Sequence, residues 1–438
     1  MNLLIKNGRV LDPATDTDQI LDILLIEGKI SLIEENIDEL DYPNHQILDA
    51  TGCFVMPGLI DLHVHLRDPG LTYKEDMETG TKAAAKGGFT TIVAMANTNP
   101  VIDSPDKVKA VQALAKEKSS IHVIQVASIT KGMAGEELTP IKDLKDSGVI
   151  ALSEDGKTVM NAHLFRQGLE MAKEHNLIVL SHCEDETMKG NGIYNQGEAS
   201  NRHQVPGISN AVEDVIVARD IILAKEVGAK LHICHCSTRG SVELVRIAKE
   251  RGIQVTAEVC PHHFILTDQD IKEGDSNYKM APPLRRERDR LALIEGLQDG
   301  TIDVIASDHA PHNEEEKGSD LQNAAFGIVG LETILPLTYT HLVKTDLLSP
   351  LEMVRKMSLS PARILGIEKG SLQIGKEADI TIFDPNKKHS IDVQSFLSKG
   401  KNSPFHERSV YGEVKATLVQ GEIVYQQNLH QWVCQPNH

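Results

Sequence analysis

A (β/α)8 TIM barrel carrying a small accessory β domain is the α/β architecture expected of this chain, and three features lead to it. Eight short apolar runs recur from Gly58 onward, separated by polar turns and amphipathic stretches. Strands that alternate with helical patterns make a parallel sheet, and eight such units close a barrel. Both ends of the chain read instead as short alternating strands broken by turns. At 438 residues the chain is also long enough for a large barrel and a smaller second unit.

Taken in order, residues 1–55 carry LLIKNGRVLD, DILLIEGKISLIE and most of QILDATGCFVMPG, and are expected to form a small antiparallel sheet. Residues 56–365 hold the barrel strands LIDLHVH, TTIVAMA, IHVIQVA, GVIALS, LIVLSH, KLHICH, IQVTAEV and IDVIAS. Between them, KEDMETGTKAAAKG, SPDKVKAVQALAKEK, NAHLFRQGLEMAKEH, EDVIVARDIILAKEVG and SVELVRIAKERG have helical character, several closing on the Gly a C-cap favours. After the helical SPARILG, residues 366–438 return to strands in SLQIGKEADITIFDP and VKATLVQGEIVYQ. The terminal strands are expected to pair into one β domain, discontinuous in sequence, because chain termini often end close together.

Composition narrows the function. A net charge of −18 argues against nucleic acid, whose phosphates must be met by clustered Lys and Arg. It also repels anionic small molecules, so a carboxylate substrate needs a local cation inside its site. Six cysteines, at 53, 183, 234, 236, 260 and 434, show no Cys-x-x-Cys pair and read as reduced thiols of a cytoplasmic protein. The start MNLLIKNGRVLDP has no uninterrupted apolar run, and neither secretion nor a membrane span is expected.

Barrel enzymes place their chemistry where strands end. The first strand ends in His63-Val64-His65, and alternate positions on a strand share a face, so both imidazoles can grip one ion. The fourth ends in Ser153-Glu154-Asp155-Gly156, the fifth in Ser181-His182, the sixth in Cys234-His235 and the eighth in Ser307-Asp308-His309. Four histidines and two aspartates from five strand ends suit two divalent ions sharing a bridging group, and imidazole with carboxylate favours zinc. Cys234 and Cys236 flank His235, and on a strand their side chains face opposite to it, so packing is expected of them rather than ligation. His262 and His263 follow the seventh strand, where one is expected to support the site without being a ligand.

These motifs carry a family likeness. PGLIDLHVHLRDPG resembles the opening signature of the dihydroorotases within the amidohydrolase superfamily, and the likeness continues through VAMANTNP, LSEDGKTV, VLSHCED, HICHCSTRGS, CPHHFILTD, DVIASDHAPH and AFGIVGLET, over nearly the whole chain. The resemblance implies a barrel of the metal-dependent hydrolase type and reversible interconversion of N-carbamoyl-L-aspartate and (S)-dihydroorotate in de novo pyrimidine biosynthesis. It implies that His63, His65 and Asp308 hold one zinc, that His182 and His235 hold the second, and that Asp155 and a water or hydroxide bridge the two. Relatives such as hydantoinases and allantoinases bridge their ions with a carboxylated lysine; GVIALSEDGK resembles the branch that uses an aspartate, which leaves Lys157 as a loop residue.

Asp308 is further implied as the catalytic proton carrier, Arg67 as the partner of the substrate carboxylate, and His65, Asn97, His312 and the Phe326-Gly327 backbone as substrate contacts. One position departs from the pattern: where these relatives usually have Asn before paired prolines, NYKMAPPLR has Ala281, which cannot make that hydrogen bond. NEEEKGSD, after HAPH, reads as a solvated loop at the barrel mouth that could serve as a lid. A homodimer and an association with aspartate transcarbamoylase are the partners the family suggests. An allantoinase- or hydantoinase-type hydrolase is the nearest rival reading, and a non-catalytic partner of the transcarbamoylase is a rival from a different class.

Overall fold

In the computed structural model, which describes residues 2–318 and 320–427, the first barrel strand, Leu59–Val64, is buried along its whole length. That burial follows when helices cover one side of a strand and the barrel interior fills the other. Leu59–Val64 pairs in parallel with Phe89–Ala94, which pairs with His122–Gln125. Ala151–Ser153, Ile178–Ser181, Lys230–Ile233, Val255–Val259 and Val304–Ile305 form a second parallel run in that order.

Two parallel bridges, Ala127 with Leu152 and Val64 with His309, join the runs into a closed ring. At the second seam the His65 N–H donates to His309 O at 2.9 Å. Just below it the buried Asp61 carboxylate accepts from the N–H groups of His63 (3.0 Å) and Ser307 (3.1 Å), so one acid stitches the first strand to the eighth. Burial raises Asp61 to about 6 against the pull of those hydrogen bonds. The eight expected strands are all present, although the last spans only Val304–Ile305, because the chain beyond it turns into the barrel mouth.

The expected helices form at Met77–Lys86, Pro105–Lys118, Ala162–Glu174, Ala211–Val227 and Arg239–Glu250. Gly228 closes the fourth in the left-handed conformation that favours glycine (φ 74°), whereas Gly87 stays right-handed and the turn falls to Gly88 (φ 91°).

The terminal strands lie in one eight-stranded sheet. Its order is Glu422–Gln426, Ser409–Val419, Ile380–Ser390, Phe54–Pro57, Leu3–Asp12, Thr17–Ile26 and Lys29–Glu34, with Gln46–Asp49 also beside Leu3–Asp12. The sheet is mixed, which corrects the expectation of an antiparallel one: Leu3–Asp12 runs parallel to both Gln46–Asp49 and Phe54–Pro57. The segment from Glu34 to Gln46 is too long for a hairpin and crosses over, and a crossover returns the chain in the same direction. Its own core includes Leu3, Ile5, Ile23, Leu25, Val55, Ile380 and Leu418. Because Phe54–Pro57 runs directly into Leu59–Val64, this sheet anchors the strand that delivers His63 and His65.

Among the described residues no helix is long and apolar enough to cross a membrane. Cys53, Cys183, Cys234, Cys236 and Cys260 are free and buried; Cys434 lies outside the described residues.

Candidate active site

The six residues singled out at strand ends meet at one rim of the barrel. Asp155 is at their centre. Its Oδ1 lies 3.2 Å from His63 Nε2, 3.3 Å from His182 Nδ1 and 3.4 Å from His235 Nε2, and its Oδ2 lies 3.3 Å from His65 Nε2. Asp308 Oδ1 approaches His65 Nε2 at 3.3 Å and His63 Nε2 at 3.6 Å. Two atoms bound to one tetrahedral ion at roughly 2.0–2.1 Å lie about 3.3 Å apart, so these spacings are those of ligands around a shared cation.

Electrostatics follow the same arrangement. Burial opposes ionisation of Asp155, but the close approach of His63, His182 and His235 holds its pKa well below the ordinary value. Burial likewise opposes the Asp308 carboxylate, and His65, His63 and His235 keep it ionised, with its pKa below the ordinary range. His63 Nε2 and Asp155 Oδ1 are buried and make no hydrogen bond among the described residues. Leaving such atoms unsatisfied is costly unless a ligand takes up their lone pairs.

A second row of side chains orients the imidazoles. His65 Nδ1 lies 2.9 Å from Asn97 Oδ1, which fixes the hydrogen on Nδ1 and leaves Nε2 for the centre. Glu258, fully buried in Val255–Val259, does the same for His63: its Oε1 is 2.8 Å from His63 Nδ1 and its Oε2 is 3.1 Å from His232 Nε2. Burial would raise Glu258, yet His232 and His63 bring it down to about 2. Sequence reading passed over Glu258; the available signal was one acid inside a strand that is otherwise apolar or small. Glu154, by contrast, turns away from the centre to accept from Ile129 N–H and Thr130 N–H, both at 3.0 Å, so only Asp155 of that pair reaches it. Lys157 is exposed and donates to Met133 O.

The cavity above these groups holds about 240 Å³, and Arg67, Asn97, Gly156, Glu184, Lys189 and Ala281 are among the residues that line it. Arg67 is 8% exposed, yet no carboxylate lies within ion-pair distance of it among the described residues. Its Nε donates to Pro311 O at 3.4 Å, and its Nη2 stands 3.5 Å from His312 Nε2. Burial, with Arg67, Lys74 and Lys317 nearby, pushes His312 down to about 3, so its imidazole is neutral. Glu184 and Lys189, which sequence reading did not single out, form an ion pair of 2.6 Å on the cavity wall. Arg67, His235 and Asp308 all adopt left-handed backbone conformations, with φ of 59°, 33° and 47°. Residues held in such conformations cluster where a site over-determines them.

Phe326 and Gly327 also line the cavity. The Gly327 backbone is already paired: its N–H donates to Lys279 O at 3.0 Å, and its carbonyl accepts from Lys317 Nζ (3.0 Å) and Asn402 Nδ2 (3.1 Å). Phe326 O stands 2.9 Å from His312 Nε2, while the Phe326 N–H has no partner among the described residues. At Gly327 (φ 123°) an added Cβ would lie 2.6 Å from the Ala310 side chain, so the position requires glycine.

Cys234 is buried in the core, as expected. The sixth strand stops at Ile233 and His235 has a positive φ, so strict alternation no longer applies, and Cys234 approaches His63 and Glu258 closely enough to form a cluster with them. Cys236 packs in the core as expected. His262 and His263 lie on the short helix Pro261–Ile265 behind the site, His263 Nε2 being 3.0 Å from Pro282 O. Of NEEEKGSD, residue 319 lies outside the described residues; Glu316 is anchored by Lys74 Nζ at 2.7 Å and Tyr73 OH at 2.9 Å.

Comparison with known proteins identifies the family. A dihydro-orotase-like family model matches residues 52–241, and an amidohydrolase family model matches residues 235–425. The dihydroorotase of Acetivibrio thermocellus is 47% identical over 427 residues, which is 98% of this chain and 100% of that protein. The chain belongs to the dihydroorotase family.

A second member, the dihydroorotase of Pelotomaculum thermopropionicum, is 47% identical over 426 residues, 97% of this chain and 99% of its own length. Among solved structures, the L-hydantoinase (dihydropyrimidinase) of Arthrobacter aurescens superposes with a TM-score of 0.86 at 28% identity, covering 97% of this chain and 96% of that one. A D-hydantoinase superposes with a TM-score of 0.85 at 25% identity, covering 97% and 95%. The expected amidohydrolase of dihydroorotase type, on an α/β barrel, is therefore met. Its relatives in the dihydroorotase family are much closer in sequence than these hydantoinases are.

Proposed function

We propose that this enzyme interconverts N-carbamoyl-L-aspartate and (S)-dihydroorotate with the help of two zinc ions. The observation that carries the reading is the position of Asp155, within 3.4 Å of one nitrogen on each of four histidines that arrive from three different strands. His63, His65 and Asp308 would hold one ion, His182 and His235 the other, with Asp155 between them. The fit rests on the donor set, nitrogen and carboxylate oxygen, and on the unsatisfied His63 Nε2 and Asp155 Oδ1. Bound zinc supplies a Lewis acid for the ring carbonyl and makes water a competent nucleophile near neutral pH.

The remaining work falls to the chain. Arg67, a buried cation without a carboxylate partner among the described residues, binds the substrate carboxylate through its guanidinium fork. Asn97 uses Oδ1 on His65 and keeps Nδ2 for the ligand; neutral His312 and the free Phe326 N–H complete the polar contacts, and the bare face of Gly327 gives them room. In ring opening Asp308 accepts the proton of the attacking water and passes it to the departing ring nitrogen; ring closure reverses both transfers. The same proposal includes the division into 1–55, 56–365 and 366–438, a cytoplasmic homodimer, and association with aspartate transcarbamoylase.

Turnover of dihydroorotate by the purified chain, with metal content measured before and after chelation, tests the reading; allantoin and a dihydropyrimidine are assayed beside it. Dihydroorotate should be hydrolysed far faster than either, and zinc should restore what chelation removes. Preference for one of the other rings, or full activity without metal, would overturn it.

A further inference from the structure

Lys317 is a buried lysine, 8% exposed, in the loop that follows His312; burial and the nearby Lys279 push its pKa down to about 7, and no carboxylate lies within ion-pair distance among the described residues. Its charge is met by backbone carbonyls instead: Nζ donates to Lys279 O at 3.1 Å, Ala325 O at 2.9 Å and Gly327 O at 3.0 Å. Those carbonyls belong to two segments that wall the cavity, one leading to Ala281 and the other holding Phe326 and Gly327. The loop is also closed on itself, since Ala325 N–H donates to Glu316 O at 2.8 Å. Lys279 reaches the same loop from the facing segment, donating to Leu321 O at 2.7 Å and lying 4.4 Å from the centre of the Phe326 ring.

We infer that Lys317 is a positioning residue, a three-point strap that sets the Phe326 N–H and ring and the Gly327 face against the substrate. In its protonated form the Lys317 amine gives one hydrogen to each of three carbonyls on two separate segments and so fixes their spacing, as a side chain with one hydrogen bond could not. Two of the carbonyls keep another donor when the lysine is lost: Lys279 O retains the Gly327 N–H, and Gly327 O retains Asn402 Nδ2. The fold should therefore survive removal of the charge while the wall loosens. This role rests on the ring-binding function proposed for the Phe326-Gly327 wall.

The test compares wild type with Lys317→Met and Lys317→Arg by steady-state kinetics on dihydroorotate, metal content and amide hydrogen exchange. Lys317→Met should raise KM by roughly 10- to 100-fold, the worth of one or two charge-assisted hydrogen bonds, with a much smaller change in kcat. Metal content should stay at the wild-type level, exchange should quicken in peptides spanning 321–330, and Lys317→Arg should recover part of both losses. Unchanged KM and unchanged exchange in Lys317→Met would overturn the inference, as would equal loss of kcat and metal in both variants, which marks a purely structural role. Failure of wild type to act on dihydroorotate counts against the proposed substrate alone; exchange in 321–330 still decides whether Lys317 is the strap.

Discussion

Glu258 Oε1 lies 2.8 Å from His63 Nδ1, on the side of the imidazole opposite Asp155. A carboxylate there fixes the His63 tautomer and raises the basicity of the nitrogen that faces the centre. Glu258→Gln keeps the size of the side chain and removes its charge, so metal affinity should fall roughly 10- to 100-fold, measured against a competing chelator. Wild-type affinity in the variant would reject this role.

The same residue predicts a pH dependence of stability. Glu258 is lowered to about 2 in the folded protein, against an ordinary value of about 4.3. A depressed folded value means that the stabilisation is complete above about 4.3 and is lost as pH falls through about 2. Metal-free wild type should therefore lose urea resistance relative to Glu258→Gln across that window. A constant gap between the two would show that the pair does not contribute in this way.

Asp308 carries the proton in the proposed reaction, so Asp308→Asn should lower turnover by roughly 100- to 10,000-fold. Substrate binding should change less. Near-normal kcat in Asp308→Asn and Asp308→Ala would remove Asp308 from the chemistry.

Replacing Asp155 tests the bridge. Asp155→Ala removes the one carboxylate that contacts all four imidazoles, and the variant should bind fewer ions than wild type and lose activity together with them. Full metal content by elemental analysis would show that the imidazoles and Asp308 suffice.

The cavity makes two further predictions about specificity. Arg67→Met should raise KM for dihydroorotate by roughly 10- to 100-fold, because a charge-assisted contact is lost, and should leave residual hydrolysis of a ring without a carboxylate unchanged. Ala281 lines the same cavity, and Ala281→Asn should lower KM by about 2- to 10-fold if the added amide reaches the ring. An equal effect of Arg67→Met on both rings, or a higher KM in Ala281→Asn, would contradict these assignments.

Much of this site could be read before any fold was known, and the reason is local. A strand covered on both sides is largely apolar, so LIDLHVH or LIVLSH declares itself, and a histidine or aspartate at its end stands out. His63 and His65, Asp155, His182, His235 and Asp308 were found that way. Glu258 was not, because its meaning depends on His63, 195 positions away. Cys234 was read only as packing, and its approach to His63 and Glu258 was not legible because it joins three segments far apart in the chain. Gly327 was expected to offer its backbone to a ligand, and only the fold shows that Lys279, Lys317 and Asn402 have already taken those groups.

By itself the amino-acid order determined the eight strands, the helices between them and the identities of the side chains proposed as ligands, since each follows from the periodicity and chemistry of a short segment. Tertiary structure alone decided that Asp155 touches four imidazoles, that Asp61 ties the first strand to the eighth, that the terminal sheet is mixed, and that a lysine straps the cavity wall. Those facts are contacts between segments far apart in the chain, and no local pattern encodes a distance that exists only once the barrel has closed.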